Sequence, residues 1–175
     1  NTANGENNRD GSDANWSWNS GEEGKSTNSV VIKNRTKRMR AMMATLMLSF
    51  GTPMITFGDE FGRSQMGNNN PYCQDNAITW IAWEGLSVKQ RNLISYTRKL
   101  IRLRKKLKIF NRNKFFTGRT IDDKGNKDLA WYTEKGVEFK SADWHDGERR
   151  CLSYLLKTPV GFIQAIFNAN HTYYK

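Results

Sequence analysis

The sequence predicts an α/β fold that gives way to an all-β segment. Three observations carry this. A helix, a short apolar strand, a polar loop and a second helix follow one another over residues 36–107. From about Lys114 the pattern changes to period two with turn signals. The length of 175 residues allows one ordinary domain, or one small domain plus part of another.

Taken in order, residues 1–29 are dense in Asn, Gly, Ser, Asp and Glu, with Trp16 and Trp18 embedded. They read as a long loop, and two closely spaced Trp predict that packing orders it. Residues 36–50 read as a helix, because Met39, Met42, Met43, Leu46, Met47 and Phe50 recur every three to four positions. Gly51 is expected at C′, and Pro53 blocks continuation. Pro53 to Phe57 is short, apolar and partly β-branched, and reads as a buried strand of the parallel kind. It ends at Gly58-Asp59-Glu60. Residues 61–86 form a second polar loop, long enough to imply a functional role or an unfolded segment. Ser87 and Gln90 match a capping box. Leu93, Tyr96, Leu100, Leu103 and Leu107 then form the apolar stripe of a helix over 87–107, widened by Ile94 and Ile101. Strands are expected at 129–133, 150–156 and 161–168, with Thr158-Pro159-Val160-Gly161 as the hairpin connection between the last two.

Composition excludes several classes. Hydrophobic residues make up 37% and aromatics 12%, with six Trp, which argues against a disordered chain. No apolar run approaches the ~18 residues of a membrane span. Asn1 to Ser20 holds no apolar signal-peptide core, and Asn1 in place of an initiator Met predicts a start inside a longer protein. Two cysteines, Cys73 and Cys151, are too few for a disulfide framework and match no metal spacing, so a reducing, cytoplasmic compartment is expected. The net charge of +11 suggests nucleic acid until its distribution is read. Residues 85–119 hold twelve Lys or Arg and no acid, while the rest nets about −1. One charged helix is not a basic domain, and Tyr96 lies on its apolar stripe rather than among its cations, so neither nucleic acid nor membrane is expected as a partner.

The candidate chemistry gathers after the expected strand. In parallel α/β barrels the loops following strand C-termini hold the site, which is where Asp59 and Glu60 fall. Glycoside hydrolysis uses two carboxylates, but sequence neighbours on a strand point apart and are poorly placed to flank one bond. Substrate contact and structural capping both remain open for them. Gln65, Asn68, Asn69, Asn70, Tyr72, Gln74, Asp75 and Asn76 supply the donors, acceptors and ring face that sugars need, and Asn and Gly equally serve turn geometry. His145 and His171 are isolated, and neither Cys lies near a His.

Several strings resemble the bacterial glycogen debranching enzymes of the isoamylase type, in the α-amylase clan. They are Ala3-Asn-Gly-Glu6, Asn8-Arg-Asp-Gly11, Ser17-Trp-Asn-Ser-Gly-Glu-Glu-Gly24, Gly51-Thr-Pro-Met54, Gly58-Asp-Glu-Phe-Gly-Arg63 and, most specifically, Gly67-Asn-Asn-Asn-Pro-Tyr-Cys-Gln-Asp-Asn76. Thr79-Trp-Ile-Ala-Trp83, the Leu-Ile-Arg-Leu-Arg-Lys run at 100–105 and Ala142-Asp-Trp144 continue the match, which covers essentially the whole chain. The resemblance implies the C-terminal part of a (β/α)8 TIM barrel over residues 1–112, with strand 8 and its flanking helices, and a partial β-sandwich over 113–175. It implies retaining hydrolysis of α-1,6-glucosidic branch links in glycogen or limit dextrin; no cofactor and no metal-ligating residue is expected in this chain. It implies that the three catalytic acids lie on earlier strands, so no catalytic residue is assigned in this chain. Asp59, Glu60, Arg63, Asn69, Asn70, Tyr72 and Asp75 are then expected to line the substrate cleft.

Two departures qualify this. Ala82 stands where the family usually has Asp, and the β domain lacks its closing strands, which would expose sheet edges. A barrel of ~250 residues cannot close from one strand and two helices. The expectation is therefore a hydrolase segment inactive alone, whether a split product, a truncated frame or part of a longer chain. Its partners would be a branched α-glucan and the missing N-terminal part. The alternative is a non-catalytic remnant or binding module acting through the basic helix 87–107. A pullulanase or trehalose-releasing relative fits less well, because the Asn-Asn-Asn-Pro-Tyr-Cys-Gln-Asp string favours the debranching type.

Overall fold

A computed structural model describes residues 16–68 and 70–170. The chain is a mixed helix and strand structure in two compact units, Asn1–Lys106 and Leu107–Lys175.

The first unit is built on two helices of 20 residues each, α1 (Ser29–Leu48) and α2 (Val88–Leu107). α1 begins seven residues before the periodicity suggests. Asn28 caps it, its side chain accepting the Val30 N–H at 3.0 Å. The early turn, Ser29-Val-Val-Ile32, is β-branched with Val30 exposed, so it shows no helical stripe in sequence. Gly51 is left-handed (φ 92°) but lies two residues past the C-cap, Ser49, and is therefore C″ rather than C′. Met43 and Met47 of α1 pack against Leu100 of α2, with Ala44, Leu46, Tyr96 and Ile101 around them. The Ser87 capping box forms as expected: Ser87 N–H donates to Gln90 Oε1 at 2.9 Å, and Gln90 N–H donates to Ser87 Oγ at 3.3 Å.

Pro53 to Phe57 is not a strand. It is irregular, and Met54 and Phe57 are exposed. A strand exists only by pairing with a neighbour. The one sheet among the described residues lies wholly in the second unit. The loop before α1 also differs from expectation. Trp18 lies under the Arg38 guanidinium at 3.4 Å, but Trp16 is 94% exposed. Order there comes from Arg35 instead, which donates to the carbonyls of Asn19, Glu22 and Gly24. The expectations on residues 1–15, Asn69 and His171 lie outside the described residues.

The second unit holds β1 (Leu129–Tyr132), the short α3 (Ser141–Trp144), β2 (Cys151–Thr158) and β3 (Gly161–Asn168). The strands form an antiparallel sheet of order β1-β2-β3. Pro159 and Val160 are the two-residue connection from β2 to β3. Register places Tyr154 opposite Trp131 and Ala165, and Leu156 opposite Leu129 and Ile163. Tyr154 and Leu156 are essentially fully buried. Trp131 stacks edge-on with Tyr154 at 5.7 Å and with Trp144 at 5.5 Å.

Candidate functional site

The segment from Gly58 to Trp83 contains almost no regular structure, yet it is held by its own polar groups. Asp59 and Glu60 open a 3-10 turn ending at Phe61, flanked by two left-handed glycines, Gly58 (φ 102°) and Gly62 (φ 72°). Gly58 is required: a Cβ there would stand 2.7 Å from Arg63 Cβ. Phe61 is buried and meets Trp83 edge-on at 5.4 Å, and Phe57 meets the same ring at 5.5 Å. Trp83 therefore joins the two ends of the segment.

Both carboxylates fold back on this turn. Asp59 Oδ2 accepts the Thr56 N–H and Glu60 Oε2 accepts the Gly58 N–H, each at 3.0 Å. Each oxygen satisfies a backbone donor beside a turn whose other bonds run within the backbone, from Asp59 N–H to Thr56 O and from Phe61 and Arg63 N–H to Gly58 O. Capping is thus realised for both residues. Arg63 crosses the segment, donating to Thr79 O at 2.9 Å and Gln65 Oε1 at 2.7 Å.

The amide-rich stretch continues the same logic. Gln65 donates to Asn68 O at 2.9 Å, Asn68 Oδ1 accepts the Asn70 N–H at 3.0 Å, and Asn70 Oδ1 accepts the Tyr72 N–H at 3.2 Å. Gln74, buried, donates to Asn70 O at 3.3 Å. Asp75 Oδ1 accepts the Trp80 indole N–H at 2.6 Å. The Asn68 and Asn70 bonds are two Asx-type turns in series, a short polar side chain bonding the backbone two residues on. Of the expected cleft residues, Asp59, Tyr72 and Asp75 remain exposed, while Glu60, Arg63 and Asn70 are half-buried. Tyr72 presents a ring that is 72% exposed. Among the described residues no group of three or more His, Cys, Asp or Glu side chains is placed to hold a metal ion. No helix of the described residues is long and apolar enough to cross a membrane.

Sequence reasoning missed Arg104. It lies on α2 four residues after Leu100, is buried, and donates to Met47 O and Ser49 O at 2.7 Å and to Gly51 O at 2.5 Å. The last carbonyls of a helix lack partners and form its negative pole. α1 has no basic residue in its own last turn, and Arg104 supplies the cation from more than 50 residues away. The signal in sequence was a cation at the buried spacing Leu93, Thr97, Leu100, Arg104, hidden among many other cations.

In the second unit Asp128 plays a comparable role. It accepts the N–H groups of Thr117 and Gly118 at 2.9 and 2.8 Å and the Thr117 hydroxyl at 3.3 Å. Burial acts to raise its pKa, but these bonds and the Leu129 N–H outweigh it and hold the carboxyl below its ordinary value of 3.8. Burial pushes the Cys151 thiol up, which keeps it protonated and unreactive.

No family model matches the chain. Individual proteins do. The chain is 47% identical over 157 residues to the glycogen operon protein GlgX homolog of Mycobacterium tuberculosis, covering 89% of this chain and 22% of that protein. It is 40% identical over 156 residues to the glycogen debranching enzyme of Serratia proteamaculans, covering 87% and 22%. It is 41% identical over 147 residues to the glycogen debranching enzyme of Dickeya chrysanthemi, covering 84% and 21%. The chain spans about a fifth of the length of the curated relatives it matches. Over most of its own length this chain is therefore homologous to a segment of the bacterial glycogen debranching enzymes, the isoamylase-type kinship its motifs predict.

Proposed function

We propose that the chain is a C-terminal portion, without the catalytic acids, of a glycogen-debranching hydrolase that cleaves α-1,6 branch links in glycogen or limit dextrin. The observation that carries this is the 47% identity over 157 residues, which is 89% of the chain. On this reading residues 1–112 end a (β/α)8 barrel of the α-amylase clan and 113–175 begin its β domain. Pro53 to Phe57 becomes the eighth strand once the seventh and first strands flank it. The exposure of Met54, Ile55, Phe57, Trp80 and Trp83 supports that reading, because so large an apolar surface is costly without a cover. The self-bonded loop is then a cleft wall, with Asp59, Glu60, Arg63, Asn69, Asn70, Tyr72 and Asp75 bordering the glucan. Tyr72 offers a ring face to a pyranose, and Asp59 and Asp75 offer their free oxygens to hydroxyls. Proton donation and nucleophilic attack fall to acids on earlier strands, in the cytoplasm.

The test is release of linear maltooligosaccharides from a branched limit dextrin. These 175 residues alone should release none. The same residues joined to the preceding barrel of a relative should restore cleavage, and release by the segment alone would refute the reading. A second reading, a binding module acting through α2, is favoured by the run of cations without acids on that helix. Salt-sensitive retention on a polyanion column without retention on immobilised glycogen would support it instead.

A further inference from the structure

The charge of the first unit is concentrated on its helix pair. α1 and α2 together carry thirteen Lys or Arg and not one Asp or Glu. Between them lies an open cavity of about 570 Å³, lined by Lys33, Thr36, Lys37, Arg40 and Ala41 of α1 and by Lys89 and Tyr96 of α2. The spacing explains the meeting: Lys33, Lys37 and Arg40 stand at i, i+4 and i+7 on one face of α1, and Lys89 and Tyr96 at i and i+7 on α2.

The chemistry of this lining is one-sided. Lys and Arg only donate hydrogen bonds. The Thr36 hydroxyl, the one other polar side chain of α1 here, already donates to Ile32 O at 2.8 Å. Among the described residues no carboxylate and no amide lines the cavity, so the Thr36 and Tyr96 hydroxyl oxygens are its side-chain acceptors, too few for the several hydroxyls of a neutral sugar. The Tyr96 ring is covered by the Arg40 guanidinium at 4.3 Å, so recognition by stacking is also taken up. A ligand here must be rich in acceptors and negative charge. The cavity is open to solvent, so a ligand here is held chiefly by charge, and four cations stand around it.

We propose that the groove between α1 and α2 binds a compact ligand bearing two or more phosphates, separately from the Gly58–Trp83 segment. The phosphates are held by Lys33, Lys37, Arg40 and Lys89, and Arg40 keeps its place against Tyr96. This inference does not depend on the debranching reading and stands or falls without it.

Inorganic tripolyphosphate is the probe, used on the full chain. Its binding is measured by calorimetry, and lysine acetylation is mapped by mass spectrometry with and without it. Tripolyphosphate should protect Lys33, Lys37 and Lys89 from acetylation while leaving the equally exposed Lys99, Lys105 and Lys106 open. Replacing Lys33, Lys37 and Lys89 by Gln should weaken binding by about tenfold or more, whereas Lys99→Gln, Lys105→Gln and Lys106→Gln together should change it less than about twofold. Both triple variants lose the same charge from exposed positions, so they separate a site from a general field. Displacement of the probe by a nucleoside triphosphate or by a hexose bisphosphate would each support the groove and distinguish the source of the phosphates. Equal protection of all six lysines, equal loss in both variants, or no binding of tripolyphosphate would each overturn the proposal.

Discussion

The two units solve the problem of polar backbone differently. In the second, β2 pairs along both sides, and its inward residues Tyr154 and Leu156 close a core within the unit. In the first, local turn bonds within the backbone of Gly58–Trp83 are supplemented by Asn, Gln, Asp and Glu side chains, while Met54, Phe57 and Trp80 stay exposed. The comparison separates two kinds of order. Apolar burial fixes the sheet, whereas local hydrogen bonding fixes the loop without burying much. A loop ordered in that way keeps its shape while leaving side chains such as Tyr72 available.

The largest way to break this contrast is in the sheet. Leu156→Ala removes a fully buried side chain and should cost about 2–5 kcal/mol. Hydrogen exchange followed by mass spectrometry should show β2 and β3 amides exchanging far faster, with α1 and α2 amides unchanged. Equal acceleration in both units would show that they do not unfold independently.

Next in size is Arg104→Met, which keeps the length of the side chain but strips three carbonyls of their donor. Bonds to a charged group contribute about 1.5–3 kcal/mol each at most, and water replaces part of the loss, so a net cost of about 2–3 kcal/mol is expected. Faster exchange should appear in the last turn of α1 and in α2, and not in the sheet. An unchanged α1 would mean that water caps those carbonyls equally well.

The smallest effect is pH-dependent and sharpens the comparison rather than breaking it. Asp128 has a folded pKa below its unfolded value of 3.8. Its contribution is therefore complete well above pH 3.8 and is lost as pH falls through that value toward the depressed folded one. Asp128→Asn should destabilise the second unit at pH 7 by about 1–2 kcal/mol, read as a lower urea midpoint, and the gap to the wild type should close below pH 3.8. A gap that persists at lower pH would assign the effect to shape rather than charge.

What the sequence made legible follows from range. The three strands, the 158–161 connection and the Ser87 cap are set by patterns within a few residues, and the structure contains each of them. Pro53 to Phe57 carries the composition of a buried strand, but strand formation depends on partners from elsewhere in a chain, and none lies beside it among the described residues. The start of α1 was illegible because Asn28 and Arg35 set it, by a cap and by bonds to loop carbonyls, rather than by an apolar stripe. Arg104 was hidden by its neighbours: in a helix with eight cations, spacing alone does not say which one turns inward. For the loop, composition pointed to Asn, Gln and Asp as polar donors and acceptors. It did not say that most would be spent on the loop itself.

β3 has consequences for how this segment behaves in solution. Its eight residues, Gly161 to Asn168, contain no charge and no proline, and its outer side carries no partner strand among the described residues. Ile166 and Phe162 are at least half exposed along it. Such a rim accepts a second identical rim as readily as its natural neighbour. Concentrated preparations should therefore scatter light through strand-to-strand oligomers, and Gln164→Lys, which sets a cation in the middle of that rim, should keep them monomeric.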